Sequence, residues 1–307
     1  MGAQLRIYRR RIRSVQSTRK ITKAQELIAA SRIAKAQARV NAARPYAEQL
    51  SHALAELSSD RTIKHPMLSG VDNPRRAGIL LVTSDRGLAG GYNANAIKAA
   101  NELAARLEGE GKQVVRFVIG RKGVAYYTFR RIPLAGSWTG FSEQPGFSDA
   151  KPAADAVVAA LNATSAETVD GEAGIDELWM IFTKFVNSVT QTPESIRIAP
   201  VRGGSADAEG EREQTPSATY EFEPEPARLI GALLPRYVNS RIFSALLESA
   251  ASESASRRQA MKSATDNASE LIRTYTRLAS QARQAEITQE ISEIVGGADA
   301  LASSVEE

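Results

Sequence analysis

At 307 residues, with 43% of its side chains apolar, the chain is long enough for one large domain or two smaller ones and apolar enough to fill a core. It has no cysteine and two histidines, His52 and His65, which excludes disulfides, thiolate metal sites and a cysteine nucleophile. The net charge of +4 is unevenly spread: residues 1–44 hold twelve Lys/Arg and one acid, Glu26, whereas residues 163–226 hold thirteen Asp/Glu and four Lys/Arg. A chain polarised in this way meets an acidic partner with one end and a different partner elsewhere. Two histidines are also a poor basis for imidazole-bound zinc or a Ser-His-Asp triad, and both read as surface or turn residues. No apolar run approaches the ~18 residues that a membrane span needs, and the basic start lacks a signal-like apolar segment. These features read as cytosolic and soluble, compatible with docking onto a membrane complex.

Residues 1–60 form the first segment, a helix from residue 3 to about 58. Leu5, Tyr8, Ile12 and Val15 share one face, and Ile33, Ala36, Val40, Ala43, Ala47, Leu50, Leu54 and Leu57 alternate threes and fours as a coiled-coil seam. Ile21, Ala24 and Ile28 fit neither series, so the seam is expected to shift there, and Pro45 is expected to kink the helix or cost it a hydrogen bond. The second segment, residues 76–201, alternates strand-like runs (AGILLVTS, QVVRFVIG, DELWMIFTKF) with helical stretches near 93–109, 121–130 and 149–163. That alternation predicts a Rossmann-like, mostly parallel sheet covered by helices. NATSAETVDGEAGID, before the third run, reads as a long acidic surface loop, and residues 202–224 read as a mobile connector.

Residues 225–307 return to helix, with no proline or glycine between 236 and 295 and a natural stop at Gly296-Gly297. Sixty such residues make roughly 90 Å of helix if unbroken. An α/β domain of this size is only about 35–40 Å across, so most of both terminal helices must extend past it. The expected fold is therefore α/β, with a long antiparallel two-stranded coiled coil of the N- and C-terminal helices. Its seam includes alanines at 24, 36, 43, 264, 268 and 282 that permit close approach. The stretch 250–269 has little large apolar surface apart from Met261 and is expected to gain little by burial. Ile287, Ile291 and Ile294 lie on one stripe, which either packs on the N-terminal helix or is left for a protein sleeve.

The turn SDRGLAGGYN (84–93) is where an α/β protein often holds a phosphate. It lacks the lysine and hydroxyl of a P-loop and the G-x-G-x-x-G spacing of a dinucleotide site, and Asp85 would repel a phosphate. It reads as a strand-to-helix turn with Asn93 or Asn95 near the helix cap. GRKG at 120–123 could hold a 2′-phosphate, but alone it is a weak signal. Asp176 and Glu177, adjacent on a strand, point to opposite faces and make a poor acid–base pair. Trp138 and Trp179 read as core residues rather than ligand platforms. The basic N-terminal run would meet nucleic-acid phosphates or acidic proteins equally well.

RIRSVQSTRKITKAQELIAASRIAKAQ, ARPYAEQL, KHP, SDRGLAGGYN, LLPRYVNSRIF, MKSATDNASELI and RQAEITQEISEIVGGA, in that order, resemble the γ-subunit family of F-type ATP synthases, of a bacterial and actinobacterial kind. ITQEISEIVGGA is the most specific of these stretches. The resemblance implies a non-catalytic central-stalk rotor in one copy per complex, which couples turning of the membrane c-ring to conformational change in the catalytic β subunits. Implied partners are the hexamer of α and β subunits, the ε subunit and the c-ring. No cofactor, metal, nucleic acid or small-molecule substrate is implied. The implied location is the cytoplasmic side of the cell membrane, held peripherally.

By position, Arg257, Gln284, Thr288 and Glu290 would meet the catch loops of the β subunits. Arg9, Lys20 and Lys23 would face their acidic levers, and Tyr220 and Glu223 would touch the c-ring. Gln25 and Ala89 stand where many members carry methionine and cysteine, and the cysteine-bearing redox insert of chloroplast members is absent. The segment 164–174 resembles an actinobacterial insertion tied to slow ATP hydrolysis. A basic coiled-coil nucleic-acid or scaffold protein and an NADP-type α/β enzyme are the alternatives that the residues leave open.

Overall fold

A computed structural model describes residues 2–59, 65–165, 168–169, 172–201 and 226–303. The elements run α1 (Gly2–Ser59), α2 (Pro66–Ser69), β1 (Arg76–Val82), α3 (Tyr92–Gly109), β2 (Gln113–Ile119), α4 (Arg121–Phe129), β3 (Gly136–Trp138), α5 (Phe147–Ala163), β4 (Thr168–Val169), β5 (Glu172–Ala173), β6 (Glu177–Phe185), β7 (Gln191–Ala199) and α6 (Pro226–Ser303). They form two compact units, Ala29–Arg257 and Met1–Ile28 with Arg258–Glu307. The expected connector, residues 202–224, lies outside the described residues.

The larger unit is built on a five-stranded sheet in the order β3-β2-β1-β6-β7. β1 pairs in parallel with β2 and β6, β2 pairs in parallel with β3, and β7 runs antiparallel to β6. Alternation along a strand sends successive side chains to opposite faces, and in β1 both faces are covered. Ala77, Ile79 and Leu81 pack with Ala96, Ala100, Leu103 and Leu107 of α3 on one side. Leu80 and Val82 pack with α5 and α6 on the other, where Leu50 and Leu54 of α1 join them. Burial on both sides explains why these strands read as unbroken apolar runs. α6 thus begins as part of the domain core, through Ile230, Leu234, Val238, Ile242 and Leu246.

Asp176, at the threshold of β6, ties the sheet's entrance together by accepting the N–H groups of Arg75 (2.6 Å), Arg76 (3.0 Å) and Ser165 (2.8 Å). Burial acts to raise its pKa, but the backbone donors outweigh it and hold the carboxyl below its ordinary value. Glu177 beside it pairs with Lys112 at 2.8 Å, so the two acids do separate structural work. Trp138 stacks on Phe117, and half-buried Trp179 lies between Arg106 and Arg197. His65 precedes α2, its Nδ1 accepting the Met67 N–H at 3.2 Å, while His52 is exposed.

The smaller unit pairs the two long helices in opposite directions. Thr22 and Thr265 share a hydrogen bond of 2.7 Å. Tyr8 meets Tyr275 at 6.4 Å between ring centroids, with the Arg11 guanidinium 5.5 Å from the Tyr275 ring. Among this unit's described residues only Thr22, Met261 and Ala268 are buried.

Several expectations are corrected. The α1 seam does not shift: half-buried or buried Tyr8, Ile12, Val15, Thr22, Ala29, Ile33 and Ala36 keep to one line, while Ile21 and Ile28 face outward. A threonine and an alanine carry the seam where larger apolar residues were sought. α6 runs past the expected stop at Gly296-Gly297 to Ser303, while α1 spans Pro45, which has no N–H to give the helix. The acidic loop before β6 contains the short β4–β5 pairing. Within the small-residue stretch 250–269 the first part is nonetheless deeply placed: Ala250, Ala251, Ser252, Glu253, Ser254 and Ala255 are each at most 2% exposed. Small side chains let the helix sit close to its neighbours, so burial there is deep although each residue contributes little area.

Candidate functional site at the carboxyl end of the sheet

Open α/β sheets bind ligands outside the carboxyl ends of their strands, where the strand order reverses direction. Here that point lies between β1 and β6, since the chain runs outward from β1 through β2 to β3 and then returns to β6. The turn after β1 is pinned from below by Thr83, whose hydroxyl donates to the Ile119 carbonyl (2.9 Å) and accepts the Gly123 N–H (3.0 Å). Gly120 has φ +99°, and a Cβ there would stand 2.1 Å from the Thr83 carbonyl oxygen. The glycine of GRKG therefore serves the close approach of two turns.

Asp85 decides the character of this place. Its carboxylate accepts the N–H of Arg121 at the start of α4 (3.1 Å) and those of Gly140 (2.8 Å) and Ser142 (3.0 Å) in the loop after β3. Its own N–H donates to the Ser142 hydroxyl (2.8 Å). A helix start and a ring of convergent N–H groups make a ready anion site, and the chain's own carboxylate occupies it. Asn93 lies near the cap of the next helix, as expected, without being the cap itself. Gly91 is the N-cap of α3 without a side-chain bond, and Asn93 reaches back to accept the Ser84 N–H at 2.9 Å.

The reversal point is filled by α6. Ser252 donates to the Thr183 carbonyl (2.9 Å), and Ser249 accepts the Thr183 N–H (3.3 Å). Arg257 donates to the carbonyls of Gly87 (3.3 Å) and Arg86 (3.4 Å) and pairs with Glu253 at 2.6 Å. Burial raises the Glu253 pKa in spite of Arg257. Burial, with Glu253 adding to it, lifts the Tyr92 phenol well above the ordinary tyrosine range. Polar groups of this kind hold the helix against the strand ends.

A family model described as ATP synthase matches residues 4–301. An ATP synthase gamma chain of Acidothermus cellulolyticus is 56% identical over 304 residues, covering 99% of each chain. One from a Parafrankia species is 55% identical over 307 residues, again covering 99% of each. The chain belongs to the ATP synthase gamma chain family. In fold it is similar to a chain of the Euglena gracilis mitochondrial ATP synthase (OSCP/F1/c-ring, rotational state 3), with a TM-score of 0.67 at 14% identity, covering 100% of this chain and 97% of that one. It is also similar to a chain of the central stalk and c-ring of the Tetrahymena thermophila enzyme, with a TM-score of 0.57 at 22% identity, covering 80% and 99%.

In this gamma chain family member, the residues singled out from sequence that the structure describes fall in three groups. Arg9, Lys20 and Lys23 are exposed on α1, with Lys23 also pairing with Glu26 at 3.2 Å. Gln284, Thr288 and Glu290 are exposed on α6, in the same region as Ile287, Ile291 and Ile294 at 46%, 56% and 71% exposure. The apolar stripe, left open on periodicity alone, is thus on the surface. Arg257 differs from these. It is 6% exposed, and its guanidinium is engaged by Glu253, Glu143 and two backbone carbonyls. Tyr220 and Glu223 lie outside the described residues. Sequence reasoning missed Glu143, whose signal is invisible in any local window because its partners are on other elements.

Proposed function

We infer that the chain is the central-stalk rotor subunit of a proton-translocating F-type ATP synthase, turning with the membrane c-ring and driving the catalytic β subunits through different nucleotide affinities. It is non-catalytic, and the ATP chemistry belongs to the β subunits. The observation that carries this reading is identity above one half to ATP synthase gamma chains along 99% of both chains. The geometry supports it, because the one place where this fold class binds nucleotides is filled by Asp85 and α6.

The exposed stripe of Ile287, Ile291 and Ile294, with Gln284, Thr288 and Glu290 on the same stretch of helix, suits a sleeve made by the hexamer of α and β subunits and its catch loops. The exposed cations Arg9, Lys20 and Lys23 suit the acidic levers of β. Torque changes an affinity only where contacts differ between conformations of the partner, and an off-centre set of polar and apolar contacts provides that difference. The foot would meet the c-ring through Tyr220 and Glu223, beside the ε subunit. No helix among the described residues is long and apolar enough to cross a membrane. The rotor reading itself implies peripheral attachment through the c-ring, on the cytoplasmic face of the cell membrane.

Co-expression with α and β subunits tests the reading: the chain should co-purify in one copy per three of each. A chain that stays apart from them, or that binds duplex DNA with steep salt dependence in competition with them, would overturn it. Fluorescence titration of the isolated chain with ADP and with NADPH should show no micromolar binding.

A further inference from the structure

The boundary between the two compact units falls after Ile28 on α1 and after Arg257 on α6. A charge network sits in the larger unit at those two positions. Glu143, in the loop between β3 and α5, has its side chain 16% exposed. Its Oε2 accepts Arg32 of α1 at 2.6 Å and Arg86 of the turn after β1 at 3.3 Å, and its Oε1 accepts Arg257 of α6 at 3.4 Å. The loop that carries Glu143 is itself fastened, since Asp85 holds the N–H groups of Gly140 and Ser142. Arg257 is fixed from a second side by Glu253.

We propose that Glu143 is the positioning residue through which load passes between the sheet and both long helices, a rigid clamp on α1 and α6 where the larger unit ends. This rests on the rotor reading and names the residues that make the rotor stiff. Apolar contacts hold helices together but have little directional preference, so packed helices can roll or slide at small cost. Charge-assisted hydrogen bonds depend on distance and angle, and partial burial keeps water from screening them. The stretch of α6 from Ala250 to Ala255 is alanine and serine apart from Glu253, which allows close approach, and Ser249 and Ser252 tie it to Thr183 of β6, which leaves the grip between α6 and α1 to other groups. One carboxylate holding an arginine from each helix supplies that grip: relative twist of α1 against α6 must lengthen at least one of its bonds. Arg257 keeps Glu253 if Glu143 is lost, whereas Arg32 has its ion pair only with Glu143 among the described residues. Loss of Glu143 therefore frees α1 selectively.

The test uses the chain assembled with α and β subunits, the hexamer fixed to a surface and a bead attached to the α/β unit. The angular variance of the bead within a catalytic dwell measures rotor stiffness. Glu143→Gln is expected to raise that variance about twofold, as one of the two helices loses its directional anchor. Arg32→Met, which keeps the stem and removes the charge, should do the same, and the double variant should add nothing further. Arg86→Met, whose side chain is 70% exposed, should leave the variance unchanged. The dwell times should stay as in the parent chain throughout, which separates a change of stiffness from a change of chemistry. If Glu143→Gln fails to assemble, Arg32→Met carries the test alone. Variance unchanged in an assembled, turning complex of Arg32→Met would overturn the clamp while leaving the rotor reading intact. A parent chain that does not assemble with α and β would overturn the rotor reading and the clamp with it.

Discussion

The same two helices serve the two units in different ways. In Ala29–Arg257 they are core elements: Leu54, Ile230, Val238 and Ile242 are fully buried, and α6 crosses the strand ends with serines and Arg257 bonded into them. In Met1–Ile28 with Arg258–Glu307 they bury only Thr22, Met261 and Ala268 among the described residues, and they leave Ile21, Leu27, Ile287, Ile291 and Ile294 on the surface. The larger unit has what a domain needs to fold on its own. The smaller one has pins in place of a core: a threonine pair and a tyrosine pair with an arginine over one ring. Its apolar surface is directed outward, as expected of a segment completed by a surrounding partner.

The largest effect that this contrast predicts is in the sheet. Leu80→Ala, at 0% exposure in the centre of β1, should cost about 2–5 kcal/mol in denaturant unfolding of the isolated chain. A cost below that range would mean that the larger unit is not the stable body it is taken for. Next is Asp176→Asn, expected to cost about 1–2 kcal/mol near neutral pH by weakening three charge-assisted backbone bonds. Asp176 is held below its ordinary value in the fold, so its contribution is present above the unfolded pKa of 3.8 and is lost as pH falls through the folded value. The difference between parent and variant should therefore shrink in acid, and a constant difference from pH 7 down to pH 3 would contradict the assignment.

In the smaller unit the effects should be slight on stability and visible elsewhere. Thr22→Val removes the bond to Thr265 and should change global stability by about 1 kcal/mol or less. A polar pair inside a seam fixes register, so spin labels on the two helices should report a broader distance distribution. An unchanged distribution would show that register is set elsewhere. Ile291→Ser should be smallest of all in the isolated chain, within about 0.5 kcal/mol, while weakening assembly with α and β. Equal assembly of variant and parent would remove the sleeve from the account.

How much was legible in sequence follows the physics of each region. β1 and β6 are largely buried on both sides, so their apolar runs stand out, and the C-terminal helix announces itself by the absence of proline and glycine between 236 and 295. β7 hid because QTPESIRIA mixes a proline and charges into a strand that, among the described residues, pairs only with β6. The continuity of the α1 seam hid because Thr22 and Ala29 do the work that apolar size usually advertises. At the junction, Asp85 was legible as hostile to a phosphate, but its three backbone donors come from two distant turns. The burial of Arg257 was not legible because the acids that pair with it, Glu143 and Glu253, gain meaning only once α6 lies over the strand ends.

The most direct measurement uses the absence of cysteine. Lys98, on the outer side of α3 with its side chain 74% exposed, can be replaced by a single cysteine and carry one probe. In a complex assembled with α and β subunits and fixed through the hexamer, addition of ATP should turn that probe stepwise and in one direction. A probe that stays fixed while the complex hydrolyses ATP would contradict the account.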